Sequence, residues 1–173
     1  MSTPATAPAP PPPPHTALRV GLIVIAAIET LSTISDFSGI FQDYQHETRL
    51  LQFAQGVTSV KLALAPFIAG AALVFAVMGR LRHAIVALAA LVLLGWLSEL
   101  PSIAIHGLEW SPDLAGVIIF AQRFIYPLLA GAAIALAVRN QRLALAGALI
   151  SLPTIVFWSL ALTFLISIMI YGF

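Results

Sequence analysis

LALAGALISLPTIVFWSLALTFLISIMIY, the stretch from Leu143 to Tyr171, contains no Asp, Glu, Lys or Arg. A helix needs about 20 predominantly apolar residues to cross the roughly 30 Å hydrocarbon core of a bilayer, and this run is longer than that. It predicts a transmembrane helix. Before it stands a basic turn, Arg139-Asn140-Gln141-Arg142, and before that a second apolar run from about Leu114 to Val138. The pattern recurs upstream. Apolar runs at about 57–79 and 84–105 flank the turn Arg80-Leu81-Arg82-His83, and a first run covers about 19–41. All five are predicted to be helices, because the open edge of a strand carries backbone groups that lipid cannot satisfy. The expected fold class is an all-α membrane protein, a bundle of about five transmembrane helices.

Composition points the same way. Of 173 residues, 60% are hydrophobic and 9% charged, with a mean hydropathy of +1.00. A soluble domain of this size needs more charge than that to cover its surface. Eight Lys and Arg against seven Asp and Glu leave a net charge of +1. No global field therefore favours nucleic acid, and none is expected as a partner. The absence of cysteine excludes disulfides, thiol redox chemistry, Cys-ligated zinc and c-type haem attachment. Residues 1–17 hold seven prolines, five of them the run Pro10 to Pro14. This segment cannot bury a core and is expected to be a disordered, polyproline-II-like cytoplasmic tail. Residues 18–173 are then a single polytopic transmembrane domain. The first span has neither a cationic start nor a small-residue cleavage pattern, so it is expected to be retained and not removed as a signal peptide.

Orientation follows from the connecting segments. In a five-span arrangement Arg19, Arg80, Arg82, Arg139 and Arg142 fall on one side. The other side holds Arg49 against Asp43, Glu47, Glu109 and Asp113. The positive-inside rule puts the N-terminus in the cytoplasm and the C-terminus outside, with Tyr44, Trp110 and Tyr171 at the outer interface. The Ala-rich, loop-poor character suits a bacterial inner membrane.

Laying span four on span two with a shift of 61 matches Pro66–Val77 (PFIAGAALVFAV) to Pro127–Val138 (PLLAGAAIALAV) at seven of 12 positions. Beyond this pair, Leu97-Ser98 and Trp158-Ser159 fall at the same shift. The expected organisation is one leading helix followed by two parallel-repeat hairpins, spans two-three and four-five. The alternative is a compositional resemblance between Ala-rich helices.

Ionisable residues inside the spans mark candidate sites. Counted from the cytoplasmic arginines at about 1.5 Å per residue, Asp36, Lys61, Glu99 and Arg123 lie roughly 24 to 28 Å deep. Charge is costly at such depth, about 2.5 to 3.5 kcal/mol per group at the centre and less toward the interface. The four are expected to form an outer ion-pair layer, against the alternative that Lys61 and Asp36 snorkel to the interface. Glu29 falls roughly 15 Å above Arg19, at the midplane, where no basic residue is counted. It begins a one-faced stripe with Ser32, Thr33 and Asp36. A protonatable carboxyl at that level is what proton-coupled transport requires, and Glu29 with Asp36 is the candidate proton or ion relay. The alternative is a neutral Glu29 hydrogen-bonded to a neighbouring helix. Further polar stripes run through Gly95, Ser98, Glu99, Ser102 and His106, and through Gln122, Arg123 and Tyr126. Pro66, Pro101, Pro127 and Pro153 each lie within a span, where a proline frees a carbonyl and kinks the helix.

Other chemistry is not expected. His15 and His83 fall inside and His46 and His106 outside, in loops, so no haem, metal or other cofactor is predicted. The sequence holds no HExxH, Walker A, GxSxG or GxGxxG motif. Ser98 or Ser102 beside Glu99 and His106 is a chance grouping on polar faces, and enzymatic activity is not expected. The preferred function is a small permease or channel-like protein for protons, ions or a small polar solute. The alternative is a non-catalytic accessory or assembly subunit, in a homo-oligomer or a larger membrane complex. A third reading, a signalling module that binds a partner through the proline-rich tail, rests on a weak motif.

Overall fold

The computed structural model describes residues 15–41, 49–107 and 114–172 of the chain, and among these all regular structure is helical. The helices are α1 (Thr16–Asp36), α2 (Arg49–Val77), α3 (Leu81–His106), α4 (Leu114–Val138) and α5 (Leu143–Tyr171), with a 3-10 turn, Phe37–Phe41, after α1. Each of the five provides a segment long and apolar enough to cross a membrane. The tail up to residue 14 lies outside the described residues. So do Asp43, Tyr44, His46, Glu47, Glu109, Trp110 and Asp113, on which the orientation argument drew.

Two boundaries differ from the sequence reading. Helix α2 begins at Arg49, eight residues ahead of the apolar run expected from about 57, so the polar residues before that run are helical as well. Its residues Arg49-Leu50-Leu51-Gln52 are strong helix formers with no Gly or Pro among them, and polarity alone does not end a helix. The first span does not stay α-helical to Phe41. The Phe37 amide bonds back to the Ile34 carbonyl, and the chain tightens into the 3-10 turn. Gly39 lets that turn lie on α2, since a Cβ there would stand 3.3 Å from Leu62 Cδ1.

The ends of α2 and α4 are built alike. Gly79 and Asn140 take positive φ, 73° and 53°. The Gly79 amide donates to the Ala76 carbonyl at 3.1 Å and the Arg80 amide to Phe75 at 2.8 Å. Sixty-one positions later (79 to 140) the Asn140 amide donates to Ala137 at 3.1 Å and Gln141 to Leu136 at 3.0 Å. Both are Schellman endings, which satisfy the last carbonyls and need a residue tolerant of the left-handed conformation, Gly or Asn. Burial keeps the same register: Ala69, Ala72 and Ala76 of α2 and Ala130, Ala133 and Ala137 of α4 are all fully buried.

Past the turn the register moves by one, because α3 starts after Arg80 and α5 only after Arg142, a left-handed residue with φ 45°. At a shift of 62 the buried Ala84, Ile85 and Leu88 of α3 correspond to the buried Ala146, Gly147 and Ile150 of α5. The pairing of Leu97-Ser98 with Trp158-Ser159 expected at 61 is therefore out of step. The structural register sets Trp96 against Trp158.

Each helix packs on its chain neighbours, α5 returns to α1, and α3 leans inward to touch both α1 and α5. The core occupies the half of this ring nearest the Arg80 and Arg139 turns. There Leu22, Ile85 and Ile150 meet rows of alanines from α2 and α4. Small side chains let helix backbones approach closely, which is how helices associate when the surrounding solvent is as apolar as the side chains. Arg19 reaches from α1 to donate a hydrogen bond to the Val77 carbonyl at the end of α2. The outer surface is apolar, with Leu31, Phe67, Leu128 and Met169 each at least 70% exposed.

Candidate functional site

Above the alanine-packed half the ring opens. A cavity of about 400 Å³ is lined by side chains from all five helices, among them Glu29, Lys61, Trp96, Glu99, Arg123, Tyr126 and Trp158. A second space of about 170 Å³ adjoins Glu29 on the side of α2 and includes Thr33, Asp36 and Lys61. Glu29, Ser32, Lys61, Val92 and Thr154 line both.

Glu29 projects from α1 toward α5. Its Oε1 accepts a hydrogen bond from the Thr154 hydroxyl at 2.5 Å. Thr154 is buried beside Pro153, at the level where α5 leaves the core. On α1 the Thr33 hydroxyl of this stripe donates to the Glu29 carbonyl at 2.8 Å, and the adjacent Thr30 hydroxyl to the Ala26 carbonyl at 2.7 Å. Such back-bonding is the usual fate of Thr within a helix, and of the stripe it is the Glu29 carboxyl and Ser32 that line both spaces.

Arg123 carries the other charged centre. Its Nε lies 3.8 Å from Glu99 Oε2, an ion pair too long to be a hydrogen bond. The arginine side chain is 19% exposed and that of Glu99 55%. Of the expected layer of Asp36, Lys61, Glu99 and Arg123, this pair is formed. Lys61 and Asp36 make no ion pair among the described residues, and Asp36, the last residue of α1, is exposed. Lys61 was expected one level further out than Glu29, yet it shares both cavities with it. Counting helical rise fixes the depth of a backbone and not of the ammonium at the end of a flexible stem. Glu29 thus has a basic neighbour lining the same space.

Trp96 holds α3 to α4 through a proline defect. Pro127 has no amide hydrogen to donate to the carbonyl four residues before it, which belongs to Arg123. The Trp96 indole Nε1–H donates to that carbonyl at 2.8 Å. An interhelical hydrogen bond in a membrane protein contributes about 0.6 kcal/mol on average and up to about 1.7. Trp96→Phe is expected to cost about 1 kcal/mol in the native background. In Pro127→Ala, which restores the amide donor within α4, the same change is expected to cost markedly less. Reversible unfolding of the four proteins in mixed micelles measures the coupling, and equal costs in both backgrounds would refute this role for Trp96.

Sequence reasoning found Glu29, Lys61, Glu99, Arg123 and Tyr126 but passed over Trp96, Thr154 and Trp158. The proline four residues after Arg123 was a usable sign that a donor must come from another helix. Nothing local marked Thr154 among the hydroxyls of α5. His46 and the side chain of His106 lie outside the described residues. Among the described residues no three His, Asp or Glu side chains gather as metal ligands. No protein family, curated protein or solved structure matches this chain.

Proposed function

We propose that this chain is a small inner-membrane permease, its five helices crossing the bilayer with the N-terminus in the cytoplasm, and that it moves a small polar solute or ion through the space around Glu29. The observation that carries this reading is the pair of cavities meeting at a carboxyl held by Thr154. A bundle whose charges served assembly alone has no need of a polar chamber. Intramembrane ionisable groups that face such a chamber are a mark of solute and proton pathways. The alanine-packed half below the chamber acts as the closed side, and the two similar hairpins, best explained by duplication, supply the two halves that rock around it. Reconstitution into proteoliposomes tests the reading: a proton or solute flux is expected, and Glu29→Gln removes it. No flux for any solute, or flux indifferent to the substitution, would refute it.

A second reading, an assembly subunit, is favoured by one feature. Beyond Thr154, α5 is exposed as far as Tyr171 apart from half-buried Val156, Ala161 and Ile168. Lipid covers such a surface in a monomer, and another chain covers it in a complex. Native mass spectrometry from mild detergent separates the two, and a clean monomer excludes the subunit reading.

A further inference from the structure

The buried side-chain polar atoms that lack a hydrogen-bond partner among the described residues are Arg123 Nε, Arg123 Nη1 and the Tyr126 hydroxyl. Both residues line the same cavity, the one of about 400 Å³ beside Glu29. Gln122 approaches the Tyr126 hydroxyl without closing a hydrogen bond of normal geometry. The two guanidinium nitrogens are donors only and the hydroxyl can donate, so a single acceptor group would serve all three. Buried donors are seldom left unmet, because each costs about 1 to 3 kcal/mol and more when charged.

From this coincidence, and resting on the permeation reading above, we infer that the chamber binds a small carboxylate with an apolar body. The carboxylate sits on Arg123 and Tyr126, and the body lies against Trp96 and Trp158. The acceptors already present do not serve instead. Glu99 is more than half exposed and stands 3.8 Å from Nε, and one oxygen of Glu29 is engaged by Thr154. Lys61 adds a second positive charge to the wall with no ion pair among the described residues. The wall also carries Glu29 and Glu99, but Thr154 holds the first and Arg123 pairs with the second, so the groups left open are the donors of Arg123 and Tyr126, which a carboxylate meets and an ammonium does not. A planar guanidinium suits a carboxylate better than any other side chain does. The two indoles supply apolar faces, and the volume lies at the small end of ligand pockets.

Cyclohexanecarboxylate, cyclohexylamine and cyclohexanecarboxamide share one body and differ in the polar group. Calorimetric titration of the full chain in nanodiscs, corrected against empty discs, is expected to detect the carboxylate and neither of the others. Arg123→Gln is expected to weaken that binding about tenfold or more, and Tyr126→Phe by a smaller factor. Arg123→Lys keeps the charge and loses the planar fork, and an intermediate loss is expected. If Arg123→Gln does not fold, Arg123→Lys and Tyr126→Phe decide, and unchanged affinity in both overturns the site. Preference for the amine or the carboxamide, or equal binding by Arg123→Gln, overturns the carboxylate assignment. Proteoliposome uptake of the same three probes separates the two levels. Uptake of the amine or carboxamide alone leaves the permeation reading standing without this inference; neither binding nor uptake of any probe removes this inference, and the permeation reading falls only if the proton and solute flux tested with Glu29→Gln is absent as well.

Discussion

Gly147→Leu is expected to destabilise the fold by about 3 kcal/mol, the upper end of what overpacking an interior costs. Among the described residues, Gly147 is the buried glycine at the contact between α5 and α1. A Cβ built there would stand 2.5 Å from Leu18 Cδ1 and 3.9 Å from Leu22 Cδ2. The nearest atom is the end of a flexible leucine, so Gly147→Ala only displaces that methyl and is expected to cost far less. A leucine needs the volume of a whole side chain, and Leu22, itself 1% exposed, has nowhere to retreat. The consequence reaches the site, because the same contact sets the spacing across which Thr154 reaches Glu29. Leu18→Ala should recover a large part of the loss by vacating the space. Unfolding titrations of the single and double variants in micelles measure this. A Gly147→Leu protein as stable as the parent would mean that α1 and α5 do not pack as described.

Glu29→Gln is expected to bring flux down to the level of protein-free liposomes while leaving the fold intact. Glutamine keeps the volume, and its carbonyl oxygen can still accept from Thr154, so the helix contact survives. What it loses is the exchangeable proton and the charge. Thr154→Val does the reverse, keeping the carboxyl but removing the donor that fixes it. A hydrogen bond of about 1 kcal/mol corresponds to roughly a fivefold effect. A partial loss of that order is the expected result, and the double variant should fall no further than Glu29→Gln alone. Glu29→Asp retains the proton on a stem one carbon shorter, which breaks the reach to Thr154, and intermediate flux follows. Initial rates under an imposed pH gradient, normalised to reconstituted protein, provide the measurement. Full activity in Glu29→Gln would move the pathway elsewhere in the bundle.

Hydropathy and the arginine turns were enough to locate the helices. The run Leu143–Tyr171 is one helix between the residues named from sequence, and Leu114–Val138 likewise. These segments are legible because apolar length is a one-dimensional property. The likeness of Pro66–Val77 to Pro127–Val138 was legible for the same reason, and it survives as shared burial and as two Schellman endings in register. It failed past the turn, where the extra residue ahead of Arg142 moves the register by one. The single match of Ser98 with Ser159 could not reveal that insertion, because on an apolar helix many shifts give a few matches.

The candidate site divides in the same way. Sequence by itself determined that Glu29, Asp36, Lys61, Glu99 and Arg123 lie within or at the ends of apolar spans, since charge in such a run stands out against its neighbours. Only the tertiary structure decided which of them meet. Glu99 pairs with Arg123, Lys61 comes to the same chamber as Glu29, and Asp36, exposed at the end of α1, lines the smaller space with both. Depth along separate helices fixes one coordinate, whereas contact needs the rotation of each helix and the reach of each side chain. Those come from packing: the alanine rows that draw α2 and α4 inward, the glycine that admits Leu18, and the proline that leaves the Arg123 carbonyl to Trp96.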